Sequence, residues 1–208
     1  MSEQGPPTVP RIEWSVVARP LPGETECGDI PLVKLLPSGA LVAAMDGLGH
    51  GHEAAVAARL AVATLEAHAD EPVETLVRRC HEQLRGTRGA AMTLSSVNTQ
   101  NKTMTWLGVG NVEALLLRAD RWAIPPREYV PLRGGVVGEA LPPLHASVVP
   151  ITQGDTLILA SDGIAHGFAD RLDLGATPQQ IADRIMETHD KGTDDALVLV
   201  VRFEGLDQ

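Results

Sequence analysis

The chain opens with apolar and polar side chains in alternation. One face of this segment carries Ile12, Trp14, Val16 and Ala18. A period of two residues is typical of a strand. Further apolar runs at 30–36 and 40–45 are separated by the turn-forming Pro37-Ser38-Gly39. The run at 40–45 has no polar interruption, which predicts a strand buried on both faces.

The pattern then changes to a helical period. Alanine-rich residues 52–69 predict a long helix, and a second helix follows Pro72. Its apolar stripe, at positions i, i+3, i+4, i+7 and i+11, consists of Val73, Leu76, Val77, Cys80 and Leu84. We expect Pro72 in the first helical turn, where its missing N–H costs nothing.

The second half of the chain returns to strands. Residues 91–97, 103–109 and 112–117 are separated by short polar turns, which predicts an antiparallel meander. Residues 119–150 are rich in Pro and Gly and indicate loops around short strands. A strand at 156–160, a helix and a last strand at 196–203 complete the pattern. Thr177 is the predicted N-cap of that helix, with Gln180 in the capping-box position.

This order of elements predicts an α+β fold in which sheet layers are flanked by helical layers. The 208 residues suit one domain, at 11–208, after a flexible N-terminal leader at 1–10. A formal net charge of −10 argues against binding to nucleic acid and to anionic membranes. Two isolated cysteines, Cys27 and Cys80, without an N-terminal signal sequence, indicate reduced thiols in a cytoplasmic protein.

Three acidic motifs share one design, in which an aspartate stands at the end of an apolar strand. Asp46-Gly47 follows the strand at 40–45, Asp162-Gly163 follows the strand at 156–160, and Asp194-Asp195 precedes the last strand. Asp29 lies in a loop before another strand. The glycine after an aspartate allows a sharp turn and brings its own carbonyl oxygen within reach of a ligand. Aspartates on different strand ends can meet at one edge of a sheet.

Converging carboxylates repel one another, and a bound dication removes that repulsion. Ligand sets made only of oxygen favour Mg²⁺ and Mn²⁺ over Zn²⁺. Two such ions roughly 3.5–4 Å apart can bind a phosphate between them and activate a water for attack on phosphorus. One Asp-Gly alone is usually a turn. The joint occurrence of three such motifs therefore carries the prediction of a metal site.

In order and spacing, the motifs resemble those of the metal-dependent protein phosphatase (PPM) family, and more closely those of its bacterial SpoIIE-type branch. The resemblance runs from about residue 12 to residue 203. Its segments are Cys27-Gly28-Asp29, Ala44-Met45-Asp46-Gly47-Leu48-Gly49-His50-Gly51, Gly108-Val109-Gly110-Asn111, Leu159-Ala160-Ser161-Asp162-Gly163 and Thr193-Asp194-Asp195.

The resemblance implies a four-layer αββα sandwich of two mainly antiparallel sheets flanked by helices. It also implies two Mn²⁺ or Mg²⁺ ions, with Asp46 and Asp162 as catalytic residues. Asp46 would bridge the ions, the Gly47 carbonyl would bind one, and Asp162 and Asp194 would bind the other. Asp194 is preferred over Asp195 because the family motif begins there. Asp29 and Asp195 would act mainly through metal-bound water.

For the reaction, the resemblance implies a protein serine/threonine phosphatase. Its substrates would be phosphorylated STAS-domain scaffold proteins of the stressosome or proteins like anti-sigma-factor antagonists, and its action would reset a bacterial stress response. Two positions depart from the larger family members. Those members carry a phosphate-gripping arginine before the first acidic motif, whereas residues 21–27 here contain none. They also have a histidine directly after Asp-Gly, where Leu48 stands here.

Two other functions remain open. One is a binding module that kept the fold but lost the metals, and the other is a hydrolase of small phosphoesters. His50 and His52, at the start of the first helix, predict backbone and cap contacts, with a role beside the metals as the alternative.

Overall fold

The computed structural model describes residues 11–170 and 172–205, and the predicted leader at 1–10 lies outside them. The secondary-structure elements follow in chain order. They are β1 (Arg11–Arg19), β2 (Asp29–Leu36), β3 (Gly39–Gly47), α1 (Gly51–Ala67), α2 (Val73–Gln83), β4 (Ala90–Asn98), β5 (Thr103–Val109), β6 (Glu113–Leu117), β7 (Arg127–Tyr129), β8 (Leu132–Arg133), β9 (Ser147–Pro150), β10 (Thr156–Ala160), α3 (Pro178–His189) and β11 (Ala196–Gly205).

These strands form two sheets that pack face to face. One is five-stranded, in the order β1-β11-β10-β6-β7. The other is six-stranded, in the order β2-β3-β4-β5-β8, with β9 also paired to β5. Within the described residues, the pairing of β5 with β8 is parallel and the others are antiparallel. Helices α1 and α2 cover the six-stranded sheet, and α3 covers the other. The predicted αββα sandwich is confirmed.

Alternation along the strands divides the core into layers. In β3, Leu41 and Met45 face α1 and α2, whereas Val42 and Ala44 face the other sheet. Strand β3 is buried on both faces, as its apolar run predicts. In β11, Leu197 and its alternate neighbours fill the space between the sheets, while Val198 packs toward α3. Side chains that continue the inner faces of β3 and β11 therefore meet at the end of the sandwich.

The predicted meander is wrong at its third strand. Strands β4 and β5 pair as expected, but β6 joins β10 and β7 in the opposite sheet. The chain crosses between sheets at Gly110-Asn111, where Gly110 has a φ of +93°. A β-carbon there would also lie 2.4 Å from the Ala91 side chain. A short apolar strand has no feature that shows which sheet it will join.

The helix ends largely follow their sequence signals. Thr177 caps α3 with the full capping box, in which its hydroxyl accepts from the Gln180 N–H. Pro72 is the N-cap of α2, one position before the expected first turn, and its ψ of 144° is extended. Cys27 and Cys80 are both free thiols. None of the described helices is both long and apolar enough to cross a membrane.

Candidate metal centre

Two of the predicted aspartates face each other across neighbouring strands. Asp29, the first residue of β2, is the register partner of Asp46 near the end of β3. Directly opposed residues lie on the same sheet face, and like charges in that position destabilise the pairing. Asp46 follows Ala44 by two residues, so both side chains continue the inner face of the six-stranded sheet. The sheet thus presents two carboxylates at the end of the interface between the sheets.

The five-stranded sheet supplies the other aspartates at the same end. Strands β10 and β11 are antiparallel neighbours, with Ala160 opposite Val198. The pairing continues beyond β10, because Ser161 N–H donates to the Leu197 carbonyl and its hydroxyl accepts from Leu197 N–H at 2.8 Å. Asp162 therefore follows β10 at the edge where Asp194 and Asp195 precede β11.

The charges of the five carboxylates influence one another at this end of the sandwich. Burial, together with the charges of Asp29, Asp162, Asp194 and Asp195, raises the pKa of Asp46 to about 8. Burial also raises the pKa of Asp29 to about 7, where the Ser161 hydroxyl acts in the opposite direction. A cation placed among these groups would reverse the repulsion that produces both shifts.

The hydrogen bonds show which carboxylate oxygens already have partners and which do not. Asp195 is buried, and its two oxygens accept from Leu21 N–H at 2.7 Å and Gly28 N–H at 2.6 Å. It therefore anchors both ends of the loop at 20–28. Asp29 keeps one buried oxygen, Oδ2, without a partner among the described residues. An orphaned buried oxygen in a carboxylate cluster is a feature that a hydrated cation would satisfy.

Asp162 has a partner that the sequence analysis missed. The Asn111 side-chain amide donates to Oδ2 of Asp162 at 2.6 Å. Asn111 stands in the segment that crosses between the sheets, which brings it to this end of the sandwich. The sequence signal was the Gly110-Asn111 pair, which belongs to the family resemblance but was given no role in the site. Asp194 is fixed more locally, since its Oδ1 accepts from the Asp195 N–H at 2.8 Å.

The glycines after the aspartates allow close backbone approaches in addition to the expected turn. Asp162-Gly163 forms that turn, in which the Ile164 N–H donates to the Ser161 carbonyl at 3.1 Å. Neither Gly47 nor Gly163 is among the described glycines with positive φ. A β-carbon at Gly47 would lie 2.1 Å from the Ala54 carbonyl oxygen, and one at Gly163 would lie 2.0 Å from that of Asp195. Through these two close approaches, α1 packs against the end of β3, and the residue before β11 packs against the turn after β10.

The donor set fits hydrated hard dications better than a closed cage. Across 11–170 and 172–205, no three His, Cys, Asp or Glu side chains converge tightly enough to hold an ion by themselves. Mg²⁺ commonly takes one or two carboxylates and keeps several waters. The oxygens that the sequence predicts as ligands are those of Asp46, Asp162 and Asp194 and the Gly47 carbonyl. Their chemistry therefore suits Mg²⁺ or Mn²⁺.

Both histidines of the glycine-rich motif bind glutamates of the loop at 20–28. His50 is the N-cap residue of α1 but forms no side-chain cap hydrogen bond. Its Nδ1 lies 2.7 Å from Glu24 Oε1, and His52 Nδ1 lies 2.8 Å from Glu26 Oε1. Backbone cap contacts were thus the wrong interpretation of these side chains, which fasten the loop to the start of the helix.

Known proteins share both this sequence pattern and this architecture. The family model Stage II sporulation protein E (SpoIIE) matches residues 37–204. Phosphoserine phosphatase RsbX of Bacillus subtilis (strain 168) is 24% identical over 164 residues, which cover 78% of this chain and 80% of that protein. The chain therefore belongs to the SpoIIE family, the branch that its motifs indicate.

Solved structures agree with this assignment. One is a chain solved in work on the bacterial stressosome as a modular system adapted to control secondary messenger signaling. It has a TM-score of 0.84 and 30% identity, and the match covers 92% of this chain and all (100%) of that one. RsbX in complex with magnesium has a TM-score of 0.83 and 21% identity, covering 95% of this chain and 99% of that one.

Proposed function

We propose that this chain is a Mn²⁺- or Mg²⁺-dependent phosphatase acting on phosphoserine and phosphothreonine in proteins. The observation that carries this proposal is the position of five aspartates from two sheets at one end of the sandwich, where burial and neighbouring charges raise the pKa of Asp46 to about 8. A protein gains no stability from such a cluster without a cation. Membership of the SpoIIE family supports phosphoester hydrolysis over a non-catalytic module.

In this proposal the metal ligands are Asp46, the Gly47 carbonyl, Asp162 and Asp194. Asp46 would contact both ions, and Asp46 and Asp162 are the proposed catalytic residues. When bound, the ions supply an activated water and offset the negative charge of the phosphoryl group. Asp29 and Asp195 are not direct ligands in this proposal. Asp29 keeps a buried oxygen without a partner among the described residues, and Asp195 holds the loop at 20–28.

The remaining groups keep the ligands in place. The Asn111 amide orients the Asp162 carboxylate, and Ser161 ties the end of β10 to β11. A ligand held by a second hydrogen bond binds its metal more tightly, commonly by 10- to 100-fold. We expect these contacts to affect metal affinity more than the chemistry itself.

For the substrate, we propose phosphorylated STAS-domain proteins of a stressosome or the related anti-sigma-factor antagonists. The support is the likeness to RsbX and to a chain solved in work on the stressosome. We further propose that residues 11–208 act as one catalytic domain in the cytoplasm. Two free cysteines agree with a reducing compartment.

The test is a substrate panel with purified protein. Wild type with Mn²⁺ should release phosphate from a STAS-domain phosphoprotein and from an aryl phosphate, and a chelator should stop both reactions. Faster turnover of nucleotides or sugar phosphates than of the phosphoprotein would favour the small-phosphoester hydrolase. Metal-independent release, or none with any substrate, would contradict the proposal.

A further inference from the structure

A cationic side chain that the sequence motifs do not include lies at the edge of the acidic site. Lys191 is exposed, and its Nζ donates to the main-chain carbonyl oxygen of Asp162 at 2.5 Å. Its own N–H donates to the Gly163 carbonyl at 2.9 Å. A bridge between Ile164 and Asp190 extends this pairing. The backbone thus holds Lys191 beside the residue proposed as a metal ligand.

Three arginines near this end of the sandwich are already neutralised, whereas exposed Arg133, the register partner of Val109, forms no ion pair among the described residues. Arg59 pairs with Glu26 at 2.8 Å and Arg19 with Asp190 at 3.3 Å, while Arg88 pairs with Glu53. Lys191 forms no ion pair with any carboxylate among the described residues. An ammonium group has three donors, and the Asp162 carbonyl accepts from one of them. Two donors and the full charge therefore remain for a ligand.

Such a cation would act beside the metal ions in binding the proposed substrate. Residues 21–27 hold no arginine, and the surrounding carboxylates repel a phosphate group. We propose that Lys191 binds a phosphoryl oxygen of the substrate and of the released phosphate, as a binding residue of the same centre. This inference rests on the proposed function for its ligand, but it can fail separately.

The experiment measures binding of inorganic phosphate to the Mn²⁺-loaded protein by calorimetry, together with Mn²⁺ affinity. Lys191→Ala should raise the dissociation constant of phosphate about tenfold, equivalent to about 1.4 kcal/mol. Lys191→Arg should restore most of the affinity. Mn²⁺ affinity should stay within about twofold, because the lysine contacts a carbonyl group and not a proposed ligand atom.

Lys34→Ala is the matched control. Lys34 Nζ also donates to a main-chain carbonyl at 2.5 Å, that of Glu66, so the same charge and the same kind of contact are removed. Lys34 lies five positions beyond Asp29, about 17 Å along β2. This variant should bind phosphate as wild type does.

Unchanged phosphate affinity in Lys191→Ala, or an equal loss in Lys34→Ala, would overturn the inference. A parallel loss of Mn²⁺ affinity would also overturn it, because Lys191 would then only support the Asp162 segment. Wild type that binds no phosphate with Mn²⁺ present would also overturn it. Lysine-dependent phosphate binding without turnover of any phosphoester would contradict the proposed function and leave this inference standing.

Discussion

Asp29 and Asp46 are opposed across β2 and β3 with their side chains on the same face, and burial raises the pKa of both. No described residue donates a hydrogen bond to the Asp46 carboxylate, so its charge has no compensation from the protein. The metal-free protein therefore carries an unfavourable electrostatic contribution at this position. A conservative change at Asp46 should affect activity and stability in opposite directions.

Asp46→Asn should retain less than about a tenth of wild-type phosphatase activity with Mn²⁺, because a bridging charge is lost with little change of volume. The same variant should raise the melting temperature of the metal-free protein at pH 8. Initial rates and calorimetric melting check the two effects. Asp120→Asn is the control, since the carboxylate of exposed Asp120 accepts, among the described residues, only from the Trp122 N–H, a contact that Asn keeps. More than a tenth of the activity in Asp46→Asn would refute the bridging role.

Asn111→Ala should weaken Mn²⁺ binding by about 10- to 100-fold while leaving the fold intact, because the amide orients Asp162 from an exposed position. Titration calorimetry measures the loss. Asn101→Ala removes the same amide from a turn at 99–102, and it should bind Mn²⁺ like wild type. Equal affinities in the two variants would show that the contact has no role in metal binding.

The aspartates could be predicted from sequence because each stands in a motif at a strand end. Asn111 and Lys191 could not be assigned roles in the same way. Their positions depend on where the chain crosses between sheets and on the pairing of 190–191 with 163–164. Such pairings join distant segments, and no local pattern in either segment records them.

At the level of elements, the site depends on four strand ends packed closely together. The apolar runs predict β2, β3, β10 and β11 well, because buried strands need uninterrupted hydrophobic segments. Sheet membership was harder to predict, as β6 shows, since its apolar residues suit either sheet. The close approaches at Gly47 and Gly163 also required coordinates, because a glycine in a strand-end motif is first interpreted as a turn.

Gly163→Ala should lower the free energy of unfolding by about 1–3 kcal/mol, because its β-carbon would meet the Asp195 carbonyl oxygen. Mn²⁺ affinity should fall as well, since the change separates Asp162 from Asp194. Chemical denaturation and metal titration measure the two losses. Gly134→Ala is the matched control, because a β-carbon there has no neighbour within 4 Å. Wild-type stability in Gly163→Ala would contradict the close packing.

For the whole molecule, the acidic cluster couples stability to pH and to metal. Asp29 and Asp46 have folded-state pKa values above the usual value of 3.8. The native protein therefore binds more protons than the unfolded chain between that value and the raised ones. Stability from these groups is complete below about pH 4 and is lost as the pH rises toward 8. Metal binding requires deprotonated carboxylates, so the stabilisation that bound metal provides increases as the pH rises.

The metal-free protein should consequently lose thermal stability relative to Asp46→Asn between pH 5 and pH 8. Saturating Mn²⁺ should raise the melting temperature of wild type by several degrees at pH 8 and by less at pH 5, while Asp46→Asn should gain little. Melting both proteins with and without chelator gives the four curves needed. A wild-type curve that stays parallel to that of Asp46→Asn across this range would contradict the coupling.

The most direct measurement of the central claim is anomalous diffraction from a crystal soaked in Mn²⁺. Two peaks are expected at one end of the sandwich, in contact with Asp46 and flanked by Asp162 and Asp194. An absence of peaks among these residues, or peaks only elsewhere on the surface, would contradict a metal centre at this end.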